Sequence, residues 1–345
     1  MRALPLLLLF SATTLSAQGA ERHVVPGGDV AIYDLVGSVK LVAGSGSDVV
    51  VEVMRGGPDA AKLEVQKGPK RGRQTLRVIF PDDDIVNRDV SGWWNTQFRV
   101  REDGTFNDDG GGGGHTVRIS SRGRGLEAHA DLTIAVPKGQ RISVYLGVGT
   151  VTATNVDGDI TLDVAAASVS TEKTRGRLKL DTGSGSVTVA DAEGDVDLDT
   201  GSGDVTVTNV KGSKLVVDAG SGELTGSGIT VARLEMDLGS GGARLSDIHS
   251  GDIWLDSGSG SVDLGLAEDI ESMTIDSGSG SVTLRIPASL GAAIDIATGS
   301  GGIESELPLT ITHRSSSHLT GSIGDGVGRL RVDSGSGKVR LLKSR

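Results

Sequence analysis

The 345-residue chain carries 53 glycines, only nine Phe, Trp and Tyr side chains, no cysteine, and a formal net charge of −11. That composition excludes disulfides, thiolate metal centres, thiol nucleophiles and a lipid on an N-terminal cysteine, and it leaves few aromatics for an ordinary packed enzyme core. The acidic balance also argues against a nucleic-acid partner, because affinity for nucleic acid comes chiefly from neutralising phosphates.

Met1-Arg2 precedes the apolar run Leu4-Pro5-Leu6-Leu7-Leu8-Leu9-Phe10, and small residues follow at Ser16-Ala17-Gln18-Gly19-Ala20. A basic start, a short apolar stretch and a small-residue cleavage site form a secretory signal peptide. Residues 1–20 are therefore expected to be removed on export, by cleavage after Ala17 or Ala20. No later stretch has the roughly 18 consecutive apolar residues of a transmembrane helix. The expected location is the periplasm, the cell surface or the medium.

Residues 21–140 read as an N-terminal β-region. The segment from Asp34 to Gly46 looks like a first copy of the repeat described below, with its glycine corner at Gly44-Ser45-Gly46. Longer strands are expected at 75–80, 116–120 and 132–136 from their β-branched and alternating composition. Lys67, Lys70, Arg71, Arg73 and Arg77 flank a Gly-Pro turn and read as a solvated hairpin tip. An insert at 81–115 holds Asp82-Asp83-Asp84, Trp93-Trp94 and the run Gly110 to Gly114, which is loop or hairpin composition. Trp93, Trp94 and Phe98 concentrate three of the nine aromatics within six residues. They either cap the open end of the array that follows or stand exposed to stack on a glycan or anchor a protein partner.

From residue 141 a repeat governs the chain. Gly-Ser-Gly begins at Gly183, Gly201, Gly220, Gly239, Gly258, Gly278, Gly299 and Gly335, with degenerate copies Gly147-Val148-Gly149 and Ala165-Ala166-Ala167. Most steps are 18 to 21 residues; the last is 36 and reads as two turns. Gly226-Ser227-Gly228 falls out of register and suggests a second corner. Counting from the first residue of each unit, positions −5, −3 and +4 are apolar throughout, with polar residues between them. Two short strands per unit joined by a glycine corner follow from this period-two alternation. Such a unit cannot bury its apolar face alone and must stack on its neighbours. The expected fold is therefore all-β, a β-solenoid-like stack of two-strand repeats over 141–345, with an antiparallel meander as the alternative that alternation alone leaves open.

Position −2 is Asp in eight of the ten units: Asp163, Asp181, Asp199, Asp218, Asp237, Asp256, Asp276 and Asp333. Asp-Thr-Gly and Asp-Ser-Gly also occur in aspartic proteases, but that chemistry needs one facing pair sharing a proton, and a repeated column supplies none. The structural expectation is an Asx turn, each carboxylate accepting the N–H of the glycine two residues on. Stacking carboxylates about 4.8 Å apart is repulsive, so Asp181, Asp199, Asp218, Asp237, Asp256 and Asp276 are also weak candidates for binding a divalent cation such as Ca²⁺. Trp254, at position −4, is a further weak partner-binding candidate. The six histidines are scattered without ligand spacing.

The early Gly-x-Val strand pair, the strand end Val136-Pro137 and the units Leu-x-Leu-Asp-Thr-Gly-Ser-Gly-x-Val-x-Val resemble the bacterial "putative adhesin" family of exported β-strand-repeat proteins. The resemblance covers residues 22–345. It implies a stacked β-fold and an envelope or surface location, and it brings no catalytic residues. The expected function is a non-enzymatic structural or adhesive surface protein whose partner is a glycan or a protein. The rival expectations are a carbohydrate-active enzyme on a β-helix, which needs a local group of convergent acids, and a divalent-cation-binding surface module.

Overall fold

The computed structural model describes residues 19–88, 94–107 and 113–344, so residues 1–18 of the expected signal segment 1–20, and Trp93, lie outside the described residues. The chain opens with β1 (Glu21–Val25), β2 (Asp29–Ala43), β3 (Val49–Gly56), β4 (Glu64–Lys70) and β5 (Arg73–Ile79). Three short strands form the insert, β6 (Asp84–Val86), β7 (Asn95–Val100) and β8 (His115–Ser120), before β9 (His129–Val136). The repeats follow as β10 (Gln140–Thr154), β11 (Gly158–Glu172), β12 (Leu178–Ser184), β13 (Val187–Ala190), β14 (Val196–Ser202), β15 (Val205–Ala219) and β16 (Leu224–Leu238). They continue as β17 (Ala243–His249), β18 (Asp252–Ser257), β19 (Val262–Leu266), β20 (Ser272–Ser277), β21 (Val282–Ile286), β22 (Ala292–Thr298) and β23 (Ile303–Ser305). The last four are β24 (Thr310–Arg314), β25 (His318–Ile323), β26 (Gly328–Ser334) and β27 (Val339–Lys343).

Each rung runs along a first sheet, bends at the glycine corner and returns along a second sheet. On the first sheet Val144, Leu162, Leu180, Leu198, Val217, Met236, Leu255 and Ile275 sit in parallel register. On the second, Val151, Val169, Val187, Val205, Leu224, Ala243, Val262 and Val282 do the same. All of these side chains are buried. Period-two alternation sends them inward between the sheets while Asp, Thr, Ser, Lys and Arg face out. Each fully buried Val, Leu or Ile contributes about 1.5–3 kcal/mol, and that contribution is available only when a neighbouring rung covers it. The repeats therefore form a parallel solenoid, and the meander is excluded. Among the described residues the main sheet pairs antiparallel only towards its two ends, where β4 pairs β5, β3 pairs β1 and β9, and β25 pairs β22 and β24.

Three expectations are corrected. The first rung turns at Leu35-Val36-Gly37, since Gly37 registers with Gly149. Gly44-Ser45-Gly46 instead leaves the stack: Gly44 donates its N–H to the Val136 carbonyl at 2.7 Å, Gly46 has φ +83°, and the chain turns into the antiparallel β3.

Next, the corners are not Asx turns. The corner glycine N–H is already committed to the rung below, Gly258 to Leu238 O at 2.9 Å and Gly278 to Ser257 O at 2.8 Å. In several rungs a hydroxyl residue just before the corner glycine ties the corner instead, although Ala219 and Leu238 hold that place without one. Ser257, Ser277 and Ser334 donate from Oγ to the carbonyls of Gly260, Gly280 and Gly337 at 3.2, 3.3 and 3.2 Å, and Thr298 donates to Gly301 O at 2.8 Å. These hydroxyls are buried, so each satisfies itself and a carbonyl that the bend would leave unpaired. Asp34 holds the equivalent place in the first rung, registering with Leu146. It is fully buried, and burial first, then the nearby Asp131 charge, push its carboxyl well above the usual carboxylate range.

Finally, the 36-residue step is not two turns. After β22 and β23 the chain crosses the end of the stack as the hairpin β24–β25, and its last segment slots back between earlier rungs. β26 pairs β20 on one side and β22 on the other, and β27 likewise lies between β21 and β23. The penultimate rung in space is thus the final one in sequence.

The second corner of six successive rungs carries its own signature. Asn155, Lys173, Asp191, Asn209 and Asp247 adopt φ of +53° to +55°, and Gly228 completes the column at +70°. The out-of-register Gly226-Ser227-Gly228 is therefore a second corner, as its spacing suggests.

Because the C-terminal segment is internal to the stack, deleting residues 328–345 should uncover both β20/β21 and β22/β23. Limited proteolysis should then release residues 290–327 as readily cut chain and the melting temperature should fall by several degrees; a deletion that merely frays one end would leave both unchanged.

Candidate functional site: the carboxylate column and the insert that starts it

The outward residues of the first sheet form columns across the rungs. In one of them Arg77 is followed in register by Tyr33, Tyr145, Asp163, Asp181, Asp199, Asp218, Asp237, Asp256, Asp276 and Asp333, and the column ends at Ala297 and His318. The carboxylates are contiguous only because the last rung is inserted: in chain order Ala297 would separate Asp276 from Asp333. The proximity has an electrostatic signature. Asp181, Asp218 and Asp256 are pushed above the ordinary carboxylate range, first by partial burial and then by their acidic neighbours, Asp199 beside Asp181 and Asp218, and Asp237 and Asp276 beside Asp256.

As metal ligands these side chains are arranged in a line. Among the described residues no three His, Asp or Glu groups converge to hold an ion, whereas Ca²⁺ takes six to eight oxygens. The column is a line of like charge along the sheet.

The insert occupies the start of this column. β7 and β8 pair antiparallel and β6 joins β8 in parallel, making a small separate sheet. It covers the outer face of the first rungs, where Tyr33 stacks on Tyr145 at 4.6 Å and 7° and Phe106 meets Tyr33 edge-on at 5.9 Å. Phe98 lies 6.2 Å from Phe106 and is buried. This corrects two expectations: Phe98 is a core side chain with no surface for a partner, and the insert lies along the flank of the solenoid, not over its open end. Asn107 donates to Asp163 Oδ1 at 3.0 Å, joining the insert to the first carboxylate. The basic cluster is partly structural too. Arg73 donates to Asp29, Ser143 and Tyr145, and buried Arg77 donates to the Asp103 carbonyl at 2.8 Å.

Trp94 is partly buried and packs on the core together with Ala165 and Ala166. It stands over a cavity of about 400 Å³ whose other walls are Asn95, Thr96 and the corners around Val148-Gly149, Ala165–Ser168 and Ser184-Gly185. Sequence reasoning singled out Trp94 without locating this cavity. The available signal was the departure of Ala165-Ala166-Ala167 from Gly-Ser-Gly at the corner beneath the indole. Trp254 projects from β18 between Glu235 and Thr274, 39% exposed, on the same sheet face as the carboxylates.

Residues 117–342 match the family described as Toastrack DUF4097, and the chain belongs to that family. A solved structure from Clostridium sporogenes, described as a "putative cell adhesion protein", is similar at 9% identity over 94% of this chain and 99% of its own, with a TM-score of 0.20. No curated protein sequence matches the chain. No helix among the described residues is long and apolar enough to cross a membrane.

The column yields a pH dependence of defined sign. A carboxyl whose pKa is raised on folding binds protons more readily in the folded state, so it costs stability above its folded pKa and that cost disappears as pH falls towards the unfolded value of about 3.9. Asp218→Asn should therefore raise stability at pH 7–8 by up to about 0.5 kcal/mol, and the gain should vanish near pH 4. Urea unfolding of both proteins across this range checks it; a gain independent of pH would contradict the coupling.

Proposed function

We propose that this chain is an exported β-solenoid serving as a structural or adhesive contact module of the cell envelope or surface, without catalysis of its own. The observation that carries the reading is the unbroken outward column from Asp163 to Asp333. It is a repeated contact surface along the length of the stack, of the kind that serves association. A glycosidase on the same scaffold needs two carboxyl groups at one place with their pKa values pushed apart. Here the raised groups recur along one line, at Asp181, Asp218 and Asp256, while among the described residues no acid lines the cavity beside Trp94. The N-terminal Leu-rich run and small-residue site support export.

Two measurements test the reading. Intact mass of the exported protein should place its first residue near Gln18 or Glu21, and retention of Met1 would contradict export by cleavage. Incubation with plant, fungal and bacterial polysaccharides should release no reducing ends; turnover that is lost on substituting one outward Asp would replace this reading by the enzymatic one.

A further inference from the structure

The corners of the solenoid are Gly-Ser-Gly along most of its length, yet beneath the insert they change. The first three are Leu35-Val36-Gly37, Gly147-Val148-Gly149 and Ala165-Ala166-Ala167. Covering by the insert explains Val148, which is 3% exposed. It does not explain Ala165 and Ala166, which remain partly open and form, with Trp94, the apolar part of the cavity wall.

Trp94 is held in place from its backbone. Its N–H donates to Ser121 Oγ at 3.3 Å, and its carbonyl accepts the Ser121 N–H at 3.2 Å. The indole Nε1 is shielded from solvent and has no acceptor, so the accessible part of the ring is hydrocarbon. Around this platform stand the amide of Asn95 and the hydroxyls of Thr96, Ser168 and Ser184, and no charged side chain among the described residues lines the cavity.

We propose that this cavity is a binding site for a neutral saccharide. An apolar ring face, a floor of alanine methyls and a rim of uncharged hydroxyl and amide groups match the two surfaces of a pyranose, whose C–H face stacks on an aromatic ring while its hydroxyls exchange hydrogen bonds at the edge. About 400 Å³ falls within the range of small-molecule sites and accommodates a short glycan end. Charge selects further. On a chain of net charge −11, with the carboxylate column beginning at Asp163 nearby, a uronic acid or sialylated glycan meets repulsion that a neutral sugar does not. The inference rests on the reading of the protein as a surface contact module and names the chemistry of one of its contacts.

The test is titration of the mature protein with cellobiose, maltotriose, xylobiose, mannobiose and N,N′-diacetylchitobiose, with digalacturonate as the charged control, followed by calorimetry and by tryptophan fluorescence. At least one neutral sugar should bind, and digalacturonate should not. Trp94→Ala should weaken that binding about tenfold or more, the loss of one aromatic platform, and Trp94→Phe should recover part of it. Ala166→Arg, which keeps Trp94 and projects a long side chain into the cavity, should abolish binding with the melting temperature maintained, so a folding defect in Trp94→Ala does not decide the matter. Unchanged binding in Ala166→Arg, a preference for digalacturonate, or no binding by any of these neutral sugars would overturn the site. Attachment of the purified protein to envelope fractions, measured in parallel, separates the two proposals. Attachment by the unsubstituted protein when it binds none of these neutral sugars overturns the saccharide site and leaves the contact module standing.

Discussion

The separation between successive glycine corners is the constraint on which the rest of the protein depends. Parallel pairing continues through each bend, Gly239 N–H to Ala219 O at 3.0 Å and Ser240 N–H to Gly220 O at 2.8 Å, so the corners are drawn as close as the strands. A Cβ on Gly239 would stand 2.5 Å from the Gly220 carbonyl oxygen, and one on Gly201 2.8 Å from that of Gly183. Even close C–H···O contacts run at about 3.3–3.6 Å. Glycine is thus required here by space more than by backbone conformation, because neither of these residues has a positive φ. With the corners in contact, the apolar faces of adjacent rungs close over one another, and aliphatic side chains fill an interior too thin for many aromatics.

Stacking at this spacing has an electrostatic consequence. Whatever stands at position −2 is brought beside its counterpart above and below, and in this chain that residue is Asp from Asp163 to Asp333. The resulting repulsion opposes folding, and it adds to partial burial in raising the carboxyls of Asp181, Asp218 and Asp256. A hydroxyl next to each of several of these carboxylates binds the corner from inside, so the acid is not needed for the turn. A charged column that folding does not require is consistent with a role on the outside of the molecule. Where the column gives way to Tyr145 and Tyr33, the insert covers the sheet and the aromatics gather.

Much of this architecture was legible in the sequence because the solenoid repeats its physics at every rung. The spacing of glycines and the apolar residues at −5, −3 and +4 located both strands and the inward faces of Leu180, Leu198 and Val217. The order of the last rungs was not legible, since Leu330, Val332 and Val339 fit any rung equally well. A signal existed nonetheless: Ala297 breaks the acidic column in chain order, and moving the final unit ahead of it restores continuity. The positive-φ corners were masked by Lys173, which offers no conformational signature, although Asn155, Asp191, Asn209 and Asp247 share the preference of short polar side chains for that region. The insert's position depended on long-range packing of Phe106 against Tyr33 with Phe98 behind it, and no local pattern encodes that. The cavity beside Trp94 arose from the same packing and was equally hidden.

The most direct test of the corner constraint compares two glycines that differ only in what lies next to them. Gly239 faces the Gly220 carbonyl, whereas Gly302 has open space around the position a Cβ would take, and neither has a positive φ. Urea denaturation should show Gly239→Ala destabilised by about 1–3 kcal/mol, the cost of forcing an extra methyl into close packing, with Gly302→Ala unchanged or slightly more stable. Equal stability of the two variants would contradict the account, because the corners would then not be held in contact.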